Sequence, residues 1–242
     1  MILKNEYRPQ FREADANGRV GLRGYINYFQ DTATHYMYEL GKTNEVLPEK
    51  YGIFWMYTKY KMHVERQADF SKPLQFETWV EKSKSTVRVY QDLVITRDDK
   101  LYAQGRLECC LYNMNTNRLC RMEDIEYPMD TIIDKSVDIE GFTRIKTNID
   151  DMEYIYSHVV RYTDLDNSMH MNNLKYIDLL LNAFDSKFYN ENSIVDFEIH
   201  YLSQCFEGEE IKVYRKDNGE EIILAGAKED GTIAVQGIIG II

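Results

Sequence analysis

Thr163-Asp-Leu-Asp-Asn-Ser-Met-His-Met-Asn-Asn-Leu-Lys-Tyr-Ile177 places two carboxylates and one imidazole directly ahead of an apolar segment. Asp166 and His170 lie four residues apart, and Asn172 and Asn173 are good N-cap residues for a helix that follows them. The N–H groups and the positive dipole end at a helix start stabilise an anion, such as the oxyanion that develops when a carbonyl is attacked. The stretch therefore indicates a centre for acyl transfer, and a polar loop that only caps a helix is the alternative.

The whole chain has the composition of a soluble globular protein. Its 242 residues are 44% hydrophobic, which is enough to bury a core in one large or two small domains. The net charge of −11 argues against binding to nucleic acid through phosphates. Neither a signal-like start nor about 18 consecutive apolar residues is present, so we expect a cytoplasmic protein without membrane insertion. The four cysteines form no CxxC pair and are expected to be reduced thiols rather than zinc ligands.

Helix and strand patterns occur twice along the chain in the same order. Apolar residues recur at intervals of three and four from Leu22 to Leu40, which predicts one long helix. The first copy is predicted to hold this helix and the strands Tyr7–Glu13, Phe54–Glu65, Leu74–Lys82, Val87–Thr96 and Leu101–Asn113. The second copy is predicted to hold strand Tyr154–Tyr162, a helix from Leu174 to Phe184, and strands Ile194–Tyr201, Glu210–Arg215, Ile222–Ala227 and Ile233–Ile239.

Individual residues repeat as well, at shifts that shrink along the chain. Arg12 and Asp15 fall on Arg161 and Asp164 at a shift of 149, and the shift is 148 at the helix, where Tyr28 falls on Tyr176. Further matches occur at 137 (Met62 on Ile199, Gln67 on Gln204) and at 132 (Gln104 on Gln236, Gly105 on Gly237). This order indicates a duplicated domain.

The predicted architecture is α+β, a double (tandem) hotdog in which each copy is a long helix wrapped by an antiparallel sheet. Residues 1–137 form the N-terminal hotdog domain and residues 138–242 form the C-terminal hotdog domain, which carries the catalytic motif. In the repeat, Asn17 falls opposite Asp166 and Gly21 opposite His170. The first copy therefore lacks the catalytic pair, and we expect it to supply an acyl-binding wall.

Asp164 to Tyr176 resembles the Asp-Leu-Asp-x-Asn-x-His-x-Asn-Asn-x-Lys-Tyr signature of the acyl-ACP thioesterases, plant and bacterial enzymes that release fatty acids from acyl carrier protein. The resemblance extends through Tyr7–Gln30, Phe54–Glu65 and Phe197–Cys205, and so covers nearly the whole chain. It implies a tandem hotdog and the hydrolysis of fatty acyl-[acyl carrier protein] to free fatty acid and holo-ACP in fatty acid biosynthesis.

The resemblance also implies site residues. It assigns the catalytic carboxylate to Asp166 and the imidazole to His170, with Ser168 in the place of the family's Asn and Gln204 in the place of its later Glu. Ser168 can still hydrogen-bond a neighbour, whereas Gln204 cannot ionise and cannot act as a general base.

The resemblance implies substrate contacts too. By the resemblance, Trp55 is expected to line the acyl tunnel. From their place at the helix start, and not from the resemblance, Asn172 and Asn173 are expected to bind substrate. Cys205 stands where a nucleophile was once considered in the family, and we interpret it as a buried sulfhydryl.

Cofactors and partners follow from what the chain contains. No metal site, P-loop or dinucleotide fingerprint is visible, so the reaction is expected to need no cofactor and only water. The expected partner is an acyl carrier protein bearing a fatty acyl thioester. Lys82, Lys84 and Arg88 form the densest basic group of the first copy and are the candidates for binding it, a solvated hairpin being the alternative.

Three classes of function stay open at this point. Hydrolysis of acyl-ACP is preferred, with acyl-CoA thioesterase activity as its near variant; a hotdog dehydratase or hydratase is the second class, and a non-catalytic acyl-thioester binder the third. The sequence leaves open the acyl chain length, the choice of carrier, a covalent or direct water mechanism, the role of Gln204, and the formation of a homodimer.

Overall fold

The computed structural model describes residues 1–242 and divides into two compact units, Met1–Glu140 and Gly141–Ile242. The helices and strands of the first unit are β1 (Leu3–Tyr7), α1 (Leu22–Glu39), α2 (Leu47–Tyr51), β2 (Ile53–Val64), β3 (Leu74–Val80), β4 (Val89–Arg97), β5 (Lys100–Asn113) and β6 (Arg118–Cys120). Those of the second unit are β7 (Glu153–Val159), α3 (Asn173–Leu181), α4 (Ser186–Glu191), β8 (Ile194–Tyr201), β9 (Glu210–Asn218), β10 (Glu221–Lys228) and β11 (Ile233–Ile241). None of the helices combines the length and the apolar character that crossing a membrane requires.

The first unit is an antiparallel sheet with one long helix, as predicted. Its strands are ordered β1-β3-β4-β5-β2, and β6 pairs with β5. The predicted helix over Leu22–Leu40 is confirmed to within one residue. Its apolar spacing turns one face inward, where Tyr25, Phe29 and Tyr36 are almost completely buried. The packing of this face against the sheet is what lets a helix with four tyrosines and few strong helix formers persist.

The second unit repeats the architecture on a smaller scale, with strand order β8-β11-β10-β9-β7. Its helix is shorter than expected, because it ends at Leu181 instead of continuing to Phe184. Asp185 then caps a separate helix, α4, by accepting a hydrogen bond from the backbone N–H of Phe188 at 2.9 Å. A carboxylate in this position starts a new helix rather than continuing the old one.

The segment before each long helix also differs from the prediction. The strand predicted over Tyr7–Glu13 is wrong beyond its first residue, because β1 is Leu3–Tyr7, and the strand predicted over Tyr154–Tyr162 ends early, at Val159. Short 3-10 helices form over Phe11–Glu13 and Tyr162–Asp164 instead. In the first unit Pro9 has no N–H to give to a strand ladder. The next backbone N–H, that of Gln10, donates to the hydroxyl of Tyr28 at 2.9 Å instead.

Strand register confirms the later part of the repeat. Met62 pairs with Gly105 in the first unit, and Ile199 pairs with Gly237 in the second. A Cβ on either glycine would lie 2.9 Å from a backbone oxygen of the neighbouring strand. The same close approach of two strands therefore requires glycine at the same place in both units.

The register predicted for the loop before each long helix is wrong by two residues. The N-cap of α1 is Gly21 and that of α3 is Asn172, a shift of 151 rather than 149. The backbone has the same left-handed turn at this shift, with φ of 69° at Gly18 and 62° at Met169. Asp15 therefore corresponds to the second of the two aspartates in the motif, Asp166, and not to the first, Asp164.

The corrected register changes the comparison of the two loops. Asn17 does not stand opposite Asp166, and Gly21 does not stand opposite His170. Three pairs share a backbone position instead: Asp15 with Asp166, Asn17 with Ser168, and Arg19 with His170. The first unit thus retains a carboxylate and an amide but has a guanidinium where the second has an imidazole.

Candidate functional site

The loop that leads into α3 is fixed by backbone hydrogen bonds. The N–H of Asp166 donates to the carbonyl of His170 at 2.9 Å, and the N–H of Met171 donates to the carbonyl of Cys205 at 2.9 Å. The N–H of Asn172 donates to the carbonyl of Asp164 at 2.8 Å. These bonds close the loop on itself and onto the residues after β8, so that the side chains at its tip have defined positions.

Three of the predicted catalytic residues form one hydrogen-bonded chain. The hydroxyl of Ser168 lies 2.5 Å from Oδ1 of Asp166 and 3.1 Å from Nδ1 of His170. The backbone N–H of Ser168 also donates to Oδ1 of Asp166, at 2.8 Å. Ser168 therefore connects the carboxylate to the imidazole.

The number of protons in this chain determines the form of the imidazole. A serine hydroxyl has one proton to donate, and an ionised carboxylate only accepts hydrogen bonds. The hydroxyl of Ser168 therefore donates to Asp166, and Nδ1 of His170 donates its own proton to the Ser168 oxygen. In the neutral ring Nε2 is then the unprotonated nitrogen. No group of the protein hydrogen-bonds Nε2, which leaves it available to accept a proton.

Phe206 was not singled out from the sequence, yet it contacts the imidazole. The rings of His170 and Phe206 meet edge to face, with centroids 5.0 Å apart. Phe206 is 46% exposed, so part of its apolar surface is open to solvent beside the imidazole. Aromatic pairs in this geometry are favourable by about 0.5–1.5 kcal/mol. Nothing in the local pattern indicated this contact, because Phe206 is 36 positions from His170 in the sequence.

A second Asp–His pair, Asp164 and His158, holds the start of the loop in place. Asp164 accepts hydrogen bonds from Nε2 of His158 at 2.8 Å and from the N–H of Arg161 at 2.9 Å, and the ammonium of Lys175 lies 3.9 Å away. Burial alone would raise the pKa of Asp164, but these hydrogen bonds and positive charges outweigh it and hold the pKa below its usual value. Asp164 is thus a charged anchor for the loop, and His158 has a structural role as its partner.

The two asparagines at the start of α3 have different environments. The side chain of Asn172 accepts a hydrogen bond from the N–H of Leu174 at 2.9 Å, as an N-cap does. The N–H of Lys175 donates to the carbonyl of Asn172 at 2.8 Å. Of the backbone N–H groups from 172 to 175, only that of Asn173 has no acceptor within the protein. This N–H is the donor that the helix start can offer to an anion.

Asn172 can be tested as a helix cap. Replacing it by alanine is expected to lower the free energy of unfolding by about 0.5–2 kcal/mol, because the N–H of Leu174 loses its acceptor. Asn172→Asp keeps an acceptor oxygen and is expected to retain most of the stability. Urea unfolding of both variants measures the difference, and equal losses would show that the cap is not what Asn172 contributes.

Gln204 and Cys205 lie on the loop after β8. The side chain of Gln204 is exposed and makes no hydrogen bond within the protein, so it does not join the chain formed by Asp166, Ser168 and His170. Cys205 is fully buried, and burial raises the pKa of its thiol. A buried thiol with a raised pKa is a poor nucleophile, which agrees with its interpretation as a structural sulfhydryl.

Trp55 lies in the first unit and is only 6% exposed. Its indole N–H donates to the carbonyl of Lys42 at 2.8 Å, and its ring meets that of Tyr127 edge to face at 6.4 Å. These contacts fix the ring within a cluster that also contains Tyr36 and Ile125. Its role as an acyl-binding wall stays a prediction.

Comparison with known proteins connects these features to one family. Residues 1–127 match the acyl-ACP thioesterase N-terminal domain, and residues 147–234 match the acyl-ACP thioesterase C-terminal domain. The chain is 23% identical over 205 residues to the chloroplastic acyl-[acyl-carrier-protein] hydrolase FATB3 of Cuphea viscosissima, a match that covers 80% of this chain and 49% of that protein. It is 22% identical over 220 residues to the chloroplastic dodecanoyl-[acyl-carrier-protein] hydrolase of Cinnamomum camphora, covering 85% and 56% respectively. The chain therefore spans about half the length of the curated relatives it matches.

Solved structures show the same fold. An acyl-ACP thioesterase from Bacteroides thetaiotaomicron superposes with a TM-score of 0.91 at 19% identity, covering 100% of this chain and 98% of that chain. A 12:0-ACP thioesterase from Umbellularia californica gives a TM-score of 0.90 at 17% identity, covering 100% and 97%. This likeness confirms the double hotdog predicted from the sequence.

Proposed function

The chain belongs to the acyl-ACP thioesterase family, and from this premise we propose that it hydrolyses fatty acyl-[acyl carrier protein] to free fatty acid and holo-ACP in fatty acid biosynthesis. The observation that carries the proposal is the hydrogen-bonded chain from Asp166 through Ser168 to His170. It leaves one unprotonated ring nitrogen, Nε2, on a residue that precedes the first residue of α3 by three positions. Hydrolysis of a thioester needs a base for water and a donor for the oxyanion, and these two groups meet that need.

In the proposed reaction His170 is the general base. Its Nε2 takes a proton from water as the water oxygen attacks the thioester carbonyl, and the ring becomes an imidazolium. The negative charge of Asp166 stabilises that cation, and the hydroxyl of Ser168 bridges the two groups by hydrogen bonds. When the tetrahedral intermediate collapses, the C–S bond breaks and the proton on Nε2 passes to the departing thiolate, which restores the neutral ring.

The oxyanion is assigned to the start of α3. The backbone N–H of Asn173 has no acceptor within the protein, and it lies at the positive end of the helix dipole, where a developing negative charge is stabilised. A charge that forms only in the transition state is stabilised more than the neutral carbonyl, so this donor accelerates the chemical step. The side chain of Asn172 acts indirectly, by keeping the helix start in place.

The acyl chain is assigned to the first unit. Trp55 and the aromatic residues packed with it form an apolar cluster, which is the environment that a fatty chain requires. The absence of a His equivalent to His170 in this unit leaves one reaction centre in the chain.

Release of free thiol from three substrates tests the proposal: acyl-ACP, acyl-CoA and acyl-N-acetylcysteamine, which has no carrier. We expect thiol release from all three, with kcat/KM highest for acyl-ACP because only that substrate gains affinity from protein contacts. A kcat/KM that is higher for acyl-CoA would reassign the enzyme to acyl-CoA. Hydration or dehydration of the acyl chain without thiol release would indicate a hydratase, and binding without turnover would indicate an acyl-thioester binder.

A further inference from the structure

Two of the three basic side chains of the hairpin considered from the sequence have an acidic partner. The guanidinium of Arg88 pairs with the buried carboxylate of Glu108 at 3.3 Å, and the ammonium of Lys82 lies 3.8 Å from the carboxylate of Asp134. Only Lys84 of the three has no acidic neighbour within ion-pairing distance. An acidic protein would therefore meet little net positive charge at this hairpin.

A stronger basic surface lies in the loop before α1. Residues 8–23 contain four arginines and two carboxylates, in a chain whose net charge is −11. Arg8, Arg12 and Arg19 are exposed, and between them Phe11 is 91% exposed, more than any other large hydrophobic side chain of the protein. We call Arg8, Phe11, Arg12 and Arg19 the arginine loop.

The two carboxylates of this segment are already engaged. Glu13 is buried, with a side chain 5% exposed, and accepts hydrogen bonds from Nε of Arg12 at 3.1 Å and from Asn27 at 2.6 Å. Oδ1 of Asp15 accepts the backbone N–H groups of Asn17 and Arg19, both at 2.9 Å. The Arg12 side chain nevertheless stays 73% exposed. The positive charge of the arginine loop is therefore presented to solvent, whereas much of its negative charge faces inward or the backbone.

The equivalent loop of the second unit lacks this character. At the corrected shift of 151, Arg8, Arg12 and Arg19 correspond to Val159, Thr163 and His170. Over residues 159–174 there is one arginine and there are two carboxylates. Of the four positions of the arginine loop, only that of Phe11 has a residue of the same kind in the second unit, Tyr162, which is 75% exposed. The two loops share one backbone conformation. The loop of the second unit carries the proposed reaction groups, whereas the arginine loop carries arginines on both sides of an exposed phenylalanine in the sequence.

We propose that the arginine loop is the docking surface for the acidic carrier protein that delivers the acyl thioester. The inference rests on the proposed function and names the surface that its partner contacts. Arginines bind carboxylates through paired N–H groups and are enriched, with aromatic residues, at protein interfaces. Charge complementarity also accelerates the encounter of two proteins and orients it. An exposed phenylalanine with exposed arginines on both sides of it in the sequence fits a partner that combines carboxylates with a small apolar patch.

Charge reversal of the arginine loop tests the proposal. The test variants are the double variant R8E/R19E and the single variant F11A, and the matched control is K82E/K84E, which reverses the same number of exposed charges on the hairpin. For each protein, KM and kcat are measured on acyl-ACP and on acyl-N-acetylcysteamine. We expect R8E/R19E to raise KM for acyl-ACP by about tenfold or more with little change in kcat, because docking contacts act on binding. F11A is expected to raise the same KM by less, and K82E/K84E to change it by less than about twofold.

Two further readouts keep the outcomes separate. Raising the salt concentration is expected to raise KM for acyl-ACP in the wild-type protein and to have a weaker effect in R8E/R19E, because screening removes an attraction that the variant lacks. Titration of holo-ACP against each protein gives the affinity directly, without turnover. A KM and an affinity unchanged in R8E/R19E, or changed more in K82E/K84E, would overturn the docking proposal. A wild-type protein that releases no thiol from any substrate would instead overturn the proposed function.

Discussion

Replacing Asp166 by asparagine is expected to lower kcat by about 10²–10⁴-fold, the usual range for a group that supports acid–base catalysis. Asparagine keeps the shape of the side chain and an oxygen that can accept both hydrogen bonds from Ser168. What it removes is the negative charge that, in the proposed mechanism, stabilises the imidazolium of His170. Because that cation exists only after the proton has been taken from water, the loss is expected in kcat rather than in substrate affinity.

The first unit offers a matched control in Asp15→Asn. Asp15 has the same position in its loop and accepts backbone N–H groups from the residues that follow it, as Asp166 does. No imidazole stands beside it, so its replacement is expected to leave kcat within about twofold of wild type. Equal losses in the two variants would show that the charge acts on folding or on the overall field and not on a reacting group.

Gln204→Ala is a second comparison for Asp166. Gln204 cannot ionise and makes no hydrogen bond within the protein, so its replacement is expected to lower kcat far less than Asp166→Asn does. If Asp166→Asn retained near-normal hydrolysis while Gln204→Ala abolished it, the roles assigned to these residues would have to be exchanged.

The fate of an ¹⁸O atom from labelled water separates two uses of Asp166. With His170 as the base, a single turnover places the label in the fatty acid and leaves the carboxylate of Asp166 unlabelled. Direct attack by Asp166 would form a mixed anhydride, and its opening at the Asp166 carbonyl would leave ¹⁸O in the side chain. Mass analysis of the peptide that contains Asp166 detects this label, and its presence would replace the mechanism proposed here.

Replacing His170 by alanine is the second variant with a large expected effect, again about 10²–10⁴-fold in kcat. The variant removes both the base and the proton that the leaving thiolate receives. Stability is expected to change little, because the imidazole is only partly buried and its side-chain contacts are one hydrogen bond with Ser168 and one ring contact with Phe206. Single-turnover hydrolysis measures the loss, and urea unfolding shows whether the variant is folded.

Variants of Ser168 test whether the hydrogen-bonded link between Asp166 and His170 contributes to kcat. Ser168→Ala is expected to lower kcat by about tenfold, less than His170→Ala, because the base remains but its tautomer is no longer held. Ser168→Asn restores a polar side chain between Asp166 and His170 and is expected to recover part of the loss. An alanine variant as active as wild type would mean that His170 does not depend on the connection through Ser168.

The sequence alone determined the architecture and supplied the candidates for the reaction groups. Residue spacing from Leu22 to Leu40 is a local property of a helix, and period-two strands with turn residues between them are local as well, so both could be predicted without contacts. The Asp166 and His170 motif lies within five residues of chain, and a loop that short keeps its side chains near one another. Glycines that repeat, such as Gly105 and Gly237, were visible as a pattern before the close approach of strands explained them.

The tertiary structure decided everything that depends on residues distant in sequence or on the direction of a hydrogen bond. The contact of Phe206 with His170 and the neutralisation of Arg88 by Glu108 each join residues 20 or more positions apart, and no local pattern encodes such a meeting. The register of the repeated loop depended on a backbone turn with positive φ, which glycine at one copy and methionine at the other both adopt. The sequence shows that Ser168 is polar. Only its distances to both Asp166 and His170 show which of them receives its single proton, because a hydrogen bond is set by geometry and not by residue type.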